Sequence, residues 1–373
     1  MTIKVLNIGM SKNPGGVENL VLNYYLNINR KEFTFDFVDI YGEGIAFNEK
    51  YKNLGSEIYT LPNFKKNTIL FSKKFLKLVK EKNYDVIHIH MQSAANILVV
   101  LLSMFSKKSK VICHSHSTST PKGILRKILD YINKYIIRKL NVEKFACGKK
   151  AGIWMFGNKF EEKNIIYNAI DYDKYKFSQD KKRLIQKEYN IKNSDFILGF
   201  VGRFGDEKNV FFLIEILKKL NEENSEGDYK LLTIGGGDLK ENFLKEIKKL
   251  NLTDSYIDVG IVNDTSLYYN IMDVFLLPSF FEGVPVVAVE SQSNGLETLL
   301  SSNISREIKI SNRAKFLSID SVDKWVENIK KIEKNYDREE NILREYKLEF
   351  ASKMLEQKYK DIVQKQKVGD KNC

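Results

Sequence analysis

The feature that most constrains the fold of this chain is the alternation of short apolar runs with longer amphipathic runs in both halves of the sequence. In the first half the apolar run 4–10 precedes a helical pattern over 17–28, and in the second half 197–201 precedes 210–220. Strands that alternate with helices form a parallel sheet with helices on both faces. We therefore predict an α/β fold of two Rossmann-like parallel-sheet domains that face each other across a cleft. The predicted strands are 4–10, 34–41, 57–61, 85–90, 110–114, 144–146, 164–167, 197–201, 230–234, 256–259 and 274–277.

The length of 373 residues also predicts two domains, because single hydrophobic cores stop growing at about 250–300 residues. We expect an N-terminal domain over 1–171 and a C-terminal domain over 196–345. The segment 172–195, in which polar residues replace the apolar runs, is the expected interdomain linker. A helical pattern near the end of the chain predicts a C-terminal helix and tail over 346–373, with the helix returning to the N-terminal domain.

The net charge of +12 is unevenly distributed along the chain. Residues 1–200 carry a net charge of +16, whereas residues 201–373 carry −4. Within the basic half, the segment 122–140 has apolar residues at helical spacing with cations between them. Two interpretations of this segment stay open: one face packs into the N-terminal domain, or the helix lies on an anionic membrane surface.

Several classes of protein are excluded by simple features of the sequence. The longest apolar stretch, 94–105, is shorter than the roughly 20 residues of a membrane-spanning helix. The N-terminus has the pattern of a strand rather than of a signal peptide, and the three cysteines form no Cys-x-x-Cys pair. We expect a cytoplasmic protein, either free or peripheral at the inner face of the cell membrane.

Two cations follow the first predicted strand of the second half. Arg203 and Lys208 lie between that strand and the next helix. Cations beside a helix N-terminus suit a diphosphate, through charge-assisted hydrogen bonds and the helix dipole. The alternative is that both are solvated surface cations beside a turn.

A run of glycines follows the next strand, at Gly235, Gly236 and Gly237. Glycines allow a ligand to approach the backbone closely. The pattern is not Gly-x-Gly-x-x-Gly, and a tight strand-to-helix turn would also need glycine here.

Two glutamates separated by seven residues form the strongest motif, within the segment 278–290. Glu282 precedes a predicted helix, and Glu290 lies inside it, among apolar neighbours. Buried carboxylates require partners, and the hydroxyl groups of a sugar or a ribose are suitable donors. The alternative is one helix-capping acid and one solvated acid.

In combination, these motifs resemble family 4 of the retaining, nucleotide-sugar-dependent glycosyltransferases, which have the GT-B architecture. The N-terminal half adds three matching segments: Pro-Gly-Gly-Val-Glu at 14–18, Tyr-Asp-Val-Ile-His-Ile-His at 84–90 and Asn-Ala-Ile-Asp at 168–171. The segment 146–157 resembles the branch of the family that builds capsular and exopolysaccharide repeat units. Three features depart from the family pattern: Ala169 replaces the usual glycine, Glu297 stands where proline is common, and Asp206-Glu207 places two acids beside Lys208.

The resemblance implies a role for each motif in binding a nucleotide-sugar donor. Arg203 and Lys208 would hold the diphosphate, and Glu290 would bind the ribose hydroxyls. Glu282 would contact the hydroxyls of the donor sugar and is a candidate catalytic residue. The glycine run, represented by Gly236, would lie against the donor.

In the N-terminal half, the resemblance implies that Gly16 offers its backbone N–H to the distal phosphate. It also implies that His116 approaches the donor sugar and acts as a candidate catalytic residue, with His114 as the alternative register. We expect His88 and His90 to be packed or hydrogen-bonded, and we predict no metal site.

The activity implied is retaining transfer of a hexose from a UDP-linked donor to a lipid-diphosphate-linked or oligosaccharide acceptor in surface polysaccharide synthesis. The resemblance implies no cofactor, and we predict no nucleic-acid partner. Two alternatives stay open: a nucleotide-sugar epimerase of the same architecture, and a non-enzymatic protein that binds polyanions through its basic half.

Overall fold

The computed structural model describes residues 2–106, 108–118, 120–223, 229–335, 337–338 and 342–369. These residues form two compact units, each of which contains a six-stranded sheet. The first unit comprises the chain up to Ala169 together with the residues from Leu348 onward, and the second comprises Ile170–Lys347. All strand pairs are parallel, so the predicted α/β class with two Rossmann-like sheets is confirmed.

The sheet of the first unit has the strand order β3-β2-β1-β4-β5-β6. Its strands are β1 (Ile3–Ile8), β2 (Phe33–Asp39), β3 (Ile58–Thr60), β4 (Val86–Met91), β5 (Lys110–Ser115) and β6 (Glu143–Ala146). Its helices are α1 (Gly16–Asn27), α2 (Asn48–Asn53), α3 (Thr68–Glu81), α4 (Leu98–Ser103), α5 (Ile124–Lys139), α6 (Lys149–Phe156) and the C-terminal α13 (Leu348–Gly369).

The central strand β4 shows why this sheet needs helices on both faces. All six of its residues are buried, as expected for a parallel strand that is covered above and below. Val86 belongs to a core cluster with Leu355 and Tyr359 of α13, whereas Ile87 belongs to a second cluster with Phe71 of α3. The C-terminal helix therefore packs in the first unit, on the same core cluster as α1.

The sheet of the second unit has the order β12-β11-β10-β7-β8-β9. Its strands are β7 (Phe196–Val201), β8 (Tyr229–Ile234), β9 (Tyr256–Gly260), β10 (Val274–Leu277), β11 (Glu297–Ser301) and β12 (Ala314–Leu317). Its helices are α7 (Tyr172–Tyr175), α8 (Gln179–Glu188), α9 (Phe211–Glu222), α10 (Lys240–Lys249), α11 (Val286–Ser293) and α12 (Val322–Lys330).

The segment 172–195 differs from its expected description as a linker. It forms the helices α7 and α8 and belongs to the second unit. The side chains of Asp171 and Ser178 cap these helices by accepting hydrogen bonds from Lys174 N and Lys181 N. The interior of the segment contributes buried Ile185. Because polar caps and short helices are rich in Asp, Ser and Lys, the segment has the composition of a linker without being one.

In both sheets the strand order reverses next to the first strand of the unit. The reversal lies between β1 and β4 in the first unit and between β7 and β10 in the second. In open α/β sheets, ligands bind beside the carboxyl ends of the strands at this switch point. We therefore expect ligand-binding residues in the loops that follow these four strands.

Candidate functional site

Lys208 and Glu282 meet at the switch point of the second unit. Lys208 lies in the 3₁₀ turn that follows β7, and Glu282 lies in the loop between β10 and α11. Their side chains form a salt bridge, and both are about 15% exposed. Ser279 Oγ donates a second hydrogen bond to Glu282 Oε1, at 3.1 Å. Two of the predicted donor-binding side chains are thus brought into contact, although 74 positions separate them in the sequence.

The backbone holds the two loops together at the same place. The N–H of Phe280 donates to the carbonyl of Glu207 at 2.9 Å, which links the β10 loop to the turn after β7. The Lys208–Glu282 pair is therefore supported by a backbone hydrogen bond on one side and by Ser279 on the other. Ser279 was not among the predicted site residues, although it stands three residues before Glu282 in the same motif.

Arg203 occupies a different environment from Lys208. Its side chain is 65% exposed, and its Nη2 lies 2.9 Å from Oδ2 of Asp238, which follows the glycine run. An exposed pair of this kind contributes little to folding, because water solvates both charges. The guanidinium is thus accessible at the carboxyl edge of the sheet, where β7 and β8 are neighbours.

The glycine run after β8 is explained in part by packing. Gly235 has φ +131° and Gly237 has φ +148°, and a Cβ atom at these positions would lie 2.1 Å from Gly202 O and 2.5 Å from Phe204 O. Gly236 differs, because a Cβ there would meet only the side chain of Ile261. Two of the three glycines are thus needed by the turn itself, whereas a Cβ atom at Gly236 would conflict only with a side chain that can move.

Glu290 lies inside α11 and is almost fully buried. Its carboxylate accepts hydrogen bonds from Tyr175 Oη at 2.9 Å, Tyr269 Oη at 2.7 Å and Thr265 Oγ1 at 3.4 Å. Burial raises the pKa of Glu290, and these hydrogen bonds to the carboxylate oppose that shift. Neither tyrosine was predicted from the sequence, since both lie far from the motif and outside any recognisable pattern.

In the first unit, Gly16 begins α1, directly after β1 and its loop. The first N–H groups of a helix have no partner within the helix, and the space around the Gly16 α-carbon is open. Glu18, in the first turn, is buried and accepts a hydrogen bond from Ser11 N at 2.8 Å. This contact fixes the loop that leads into the helix.

The four histidines of the chain lie two by two along neighbouring strands of the first sheet, in a cluster that we call the histidine row. Adjacent ring centroids lie 3.9–5.5 Å apart. The row contains His88 and His90 from β4, His114 from β5 and His116 just after β5. His116 is partly exposed, and the other three are buried. Packing and hydrogen bonding of His88 and His90 agree with the expectation for these two residues.

Burial is the main cause of low pKa values throughout this row. The pKa is about 3 for His88 and for His116, and it lies well below the usual value for His90 and His114. The rings are therefore neutral at physiological pH, and each has one donor nitrogen and one acceptor nitrogen.

Three of these rings also approach the spacing of metal ligands. Nitrogens of His88, His90 and His114 lie within 4.8 Å of one another. His88 bonds to His114 and to Tyr359, and His90 bonds to Asn7, whereas the buried Nε2 atom of His114 has no hydrogen-bond partner among the described residues.

Comparison with known proteins supplies the family. The family model described as "Glycosyltransferase Family 4" matches residues 14–174, and the model described as "Glycosyl transferases group 1" matches residues 181–349. The chain belongs to glycosyltransferase family 4. Its relatives include the putative glycosyltransferase EpsF of Bacillus subtilis, which is 26% identical over 82% of this chain and 80% of EpsF. The capsular polysaccharide biosynthesis glycosyltransferase CapH of Staphylococcus aureus is 27% identical over 88% of this chain and 90% of CapH.

The name of CapH supports the predicted branch of the family, which builds capsular polysaccharides. A third relative is the Escherichia coli UDP-Gal:alpha-D-GlcNAc-diphosphoundecaprenol alpha-1,3-galactosyltransferase, 26% identical over 60% of this chain and 59% of that protein. Among solved structures, Anabaena Alr3699/HepE in complex with UDP has a TM-score of 0.71 at 15% identity and full coverage of both chains. The fold of this glycosyltransferase is therefore the GT-B fold of such structures, which confirms the predicted fold family.

No helix among the described residues of the glycosyltransferase combines the length and the apolar character that crossing a bilayer requires.

Proposed function

We propose that this glycosyltransferase transfers a hexose from a UDP-linked donor to a lipid-diphosphate-linked or oligosaccharide acceptor, with retention at the anomeric carbon. The observation that carries the proposal is the contact of Lys208 with Glu282 at the switch point of the second sheet. The UDP bound to HepE supports a uridine nucleotide, and the name of the Escherichia coli relative supports a diphosphate-linked lipid acceptor.

The charges at this edge suit the breaking of a bond between a sugar carbon and a phosphate oxygen. Lys208 and Arg203 would balance the negative charge that develops on the leaving diphosphate. Glu282 would accept hydrogen bonds from hydroxyls of the donor sugar, next to the lysine that binds the phosphate. Because no separate nucleophile is proposed, attack would occur on the face of the leaving group, and the leaving phosphate would take the proton of the acceptor hydroxyl.

Glu290 would bind the ribose hydroxyls of the donor nucleotide. Each carboxylate oxygen can accept two hydrogen bonds. Oε1 accepts one from Tyr175, which leaves a direction open for a ribose hydroxyl. The tyrosines would then hold the carboxylate in place, so that little ordering is required when the nucleotide binds.

Thermal-shift screening against UDP-, GDP- and dTDP-sugars tests the donor class, and we expect stabilisation by the UDP-sugar.

Arg203→Ala should weaken UDP binding in a calorimetric titration. The matched control is Lys249→Ala, since Lys249 is an exposed cation that pairs with Glu246 of its own helix. Equal affinity of the two variants for UDP would show that Arg203 does not bind the diphosphate.

Transfer of the hexose should continue in the presence of EDTA, and loss of transfer there would contradict the proposed metal independence.

We also propose that α5 attaches the glycosyltransferase to an anionic membrane surface. The exposed side of α5 is apolar, with Ile124 and Tyr131 each 80% exposed. The exposed apolar residues of this helix, the α5 apolar face, are Ile124, Leu125, Ile128, Leu129, Tyr131, Ile132 and Tyr135.

The side of α5 that faces the protein contains a charged pair together with the buried Ile137. Asp130 and Lys134 are buried and form a salt bridge of 2.7 Å, and Lys134 Nζ lies 3.0 Å from the ring centroid of Trp154. Asp130 also accepts a hydrogen bond from Ala94 N. The helix is therefore anchored by a polar contact, and its apolar face is turned outward. This arrangement favours the second of the two interpretations of the segment 122–140.

The remaining charges of α5 suit an anionic lipid surface. The one acidic residue of α5, Asp130, belongs to the buried salt bridge. The exposed charges of the helix are therefore cations, namely Arg126, Lys127, Arg138 and Lys139. An apolar helix face flanked by cations lies in the interface of an anionic bilayer, and each cation near the surface contributes about 1 kcal/mol. A lipid-linked acceptor would place the substrate at the same surface.

Co-sedimentation with vesicles tests this attachment. We expect binding to phosphatidylcholine vesicles that contain phosphatidylglycerol, weaker binding at high salt and none to phosphatidylcholine alone. The double variant Arg126→Glu/Lys127→Glu should bind at least about tenfold more weakly, because two favourable charges are reversed. Lys73→Glu/Lys74→Glu on α3 makes the same charge change elsewhere in the first unit. Equal losses for the two double variants, or no sedimentation of the wild type at low salt, would overturn the proposal.

A further inference from the structure

The histidine row runs from the interior of the first unit to its surface, across the switch point of the sheet. Asn7 lies on β1 opposite His88 of β4 in the strand register, and His90 of β4 lies opposite His114 of β5. Side chains at paired positions of a parallel sheet point to the same face. The row therefore lies on one face of the sheet and ends at His116.

The hydrogen bonds of the row divide into two chains. In the inner chain, His88 Nδ1 lies 2.7 Å from Tyr359 Oη, and His88 Nε2 lies 3.1 Å from His114 Nδ1. In the outer chain, His90 Nε2 lies 3.3 Å from Asn7 Oδ1, and His90 Nδ1 lies 2.9 Å from His116 Nε2. Only the outer chain reaches the partly exposed ring.

Asn7 presents its Oδ1 atom to His90 in this structure, and that orientation of the amide assigns a proton to each ring of the outer chain. The Oδ1 atom of Asn7 can only accept, so the proton of His90 is on Nε2. A neutral His90 then has a bare Nδ1, which accepts a proton donated by His116 Nε2. His116 is neutral as well, so its own Nδ1 carries no proton and is an acceptor.

We propose that His90, oriented by Asn7, is a positioning residue that holds His116 in the Nε2–H tautomer, so that His116 offers Nδ1 as an acceptor to a sugar hydroxyl. This inference rests on the proposed function for its ligand, and the geometry of the outer chain carries the tautomer. A histidine whose second nitrogen is bonded to a fixed partner keeps one tautomer and one ring orientation. This orientation of Asn7 leaves its buried Nδ2 atom without a hydrogen-bond partner among the residues that the structure describes.

Substitutions at two neighbouring rings, His90 and His88, distinguish a positioning role of His90 from a purely structural role of the row. His90→Phe keeps an aromatic ring in the stack but cannot accept from His116. His88→Phe makes the same change one position deeper, where the ring bonds to Tyr359 and His114 but not to His116. His90→Asn is the conservative variant, because its side-chain oxygen lies where Nδ1 was and still accepts from His116.

The first measurement is nitrogen-15 NMR of the histidine rings, which requires no substrate and resolves at most four residues. We expect a protonated Nε2 and a bare Nδ1 at His116 in the wild type, in His88→Phe and in His90→Asn. In His90→Phe, His116 should populate both tautomers. A wild-type His116 with its proton on Nδ1 would overturn the proposal.

The second measurement is UDP release from UDP-glucose. We expect His90→Phe to lower kcat by about tenfold to a hundredfold, with KM little changed. His90→Asn should stay within about threefold of the wild type. In a His116→Phe background, His90→Phe should have no further effect on kcat. Equal losses of kcat in His90→Phe and His88→Phe, or an undiminished effect without His116, would show that the row only supports the fold.

The two proposals fail in different ways. A wild-type protein that neither binds nor cleaves any nucleotide sugar contradicts the proposed function, and the NMR result still decides the tautomer of His116. An active enzyme with the wrong tautomer contradicts the positioning proposal alone.

Discussion

At the scale of single residues, the motif of two glutamates contains two side chains with different environments. Glu282 is paired with a lysine and a serine in a loop, whereas Glu290 is buried in a helix and accepts from two tyrosines. Spacing in the sequence indicates that both are close to the start of α11, but it carries no information on their partners. Tyr175 lies 115 positions from Glu290, and only the fold brings it there.

We predict that Lys208→Met weakens UDP binding by about tenfold, because a hydrogen bond to a charged group contributes about 1.5–3 kcal/mol. The affinity for uridine, which lacks the diphosphate, should stay unchanged. Isothermal calorimetry with both ligands checks this result. A parallel loss of affinity for uridine would assign Lys208 to the nucleoside or to the fold rather than to the phosphates.

We predict that Glu290→Gln lowers the affinity for UDP several-fold and leaves the affinity for 2′,3′-dideoxy-UDP unchanged. The physical reason is that the carboxylate accepts from ribose hydroxyls, which the analogue lacks. Titration of UDP and 2′,3′-dideoxy-UDP into the wild type and the variant forms a double-mutant cycle, which measures the coupling energy between Glu290 and the ribose hydroxyls. Equal losses of affinity for both nucleotides would contradict ribose binding by Glu290.

At the scale of elements, the sequence predicted α5 accurately but not the side that it buries. The helical pattern over 124–140 matches Ile124–Lys139, yet a charged pair faces the protein beside Ile137, and most of the apolar residues are exposed. Hydrophobic periodicity predicts a helix but not which side of it is buried, because the buried side depends on the residues that other elements place against the helix. Here Ala94 and Trp154 supply partners for Asp130 and Lys134.

We predict that Lys134→Ala destabilises the protein by about 3 kcal/mol, because it leaves the buried Asp130 carboxylate without its partner. Lys127→Ala, on the exposed side of the same helix, should change the free energy of unfolding by less than about 0.5 kcal/mol. Urea unfolding of both variants measures the difference. Similar stabilities for the two variants would show that the buried pair contributes nothing to the fold.

Other elements were missed for physical reasons. The strands β11 and β12 were not predicted, because short buried runs such as Glu297–Ser301 lack the length that separates a strand from a helix end. The predicted strand 164–167 is a 3₁₀ turn at Glu162–Asn164 followed by a single bridge at Ile165. Local pattern is weakest where tertiary pairing decides the conformation.

At the scale of the whole molecule, all four histidines collect in one neutral row although the chain is strongly basic. Their pKa values lie below those of unfolded histidine because burial disfavours the charged ring. The unfolded chain therefore binds protons that the folded chain does not. Stability is retained above the unfolded pKa of about 6.5 and is lost as the pH falls below it.

We predict that the free energy of unfolding falls below pH 6.5, with a slope for each histidine that approaches about 1.4 kcal/mol per pH unit near pH 5. Urea titrations at several pH values measure the slope. His88→Phe removes one of the titrating rings and should reduce that slope by about a quarter. A flat stability profile over this range would show that the rings are protonated in the folded state.

The sequence by itself determined the alternation of strands and helices, the α/β class and the order of motifs along the chain, because these depend on local periodicity and on spacing. It also indicated the family, through motifs that lie next to one another. Only the tertiary structure decided that Lys208 meets Glu282, that Asp130 and Lys134 are buried under an outward apolar face, and that Asn7 holds His90 beside His116. Each of these contacts joins loops, helices or strands that the chain places apart, and their energies depend on burial, which no local pattern records.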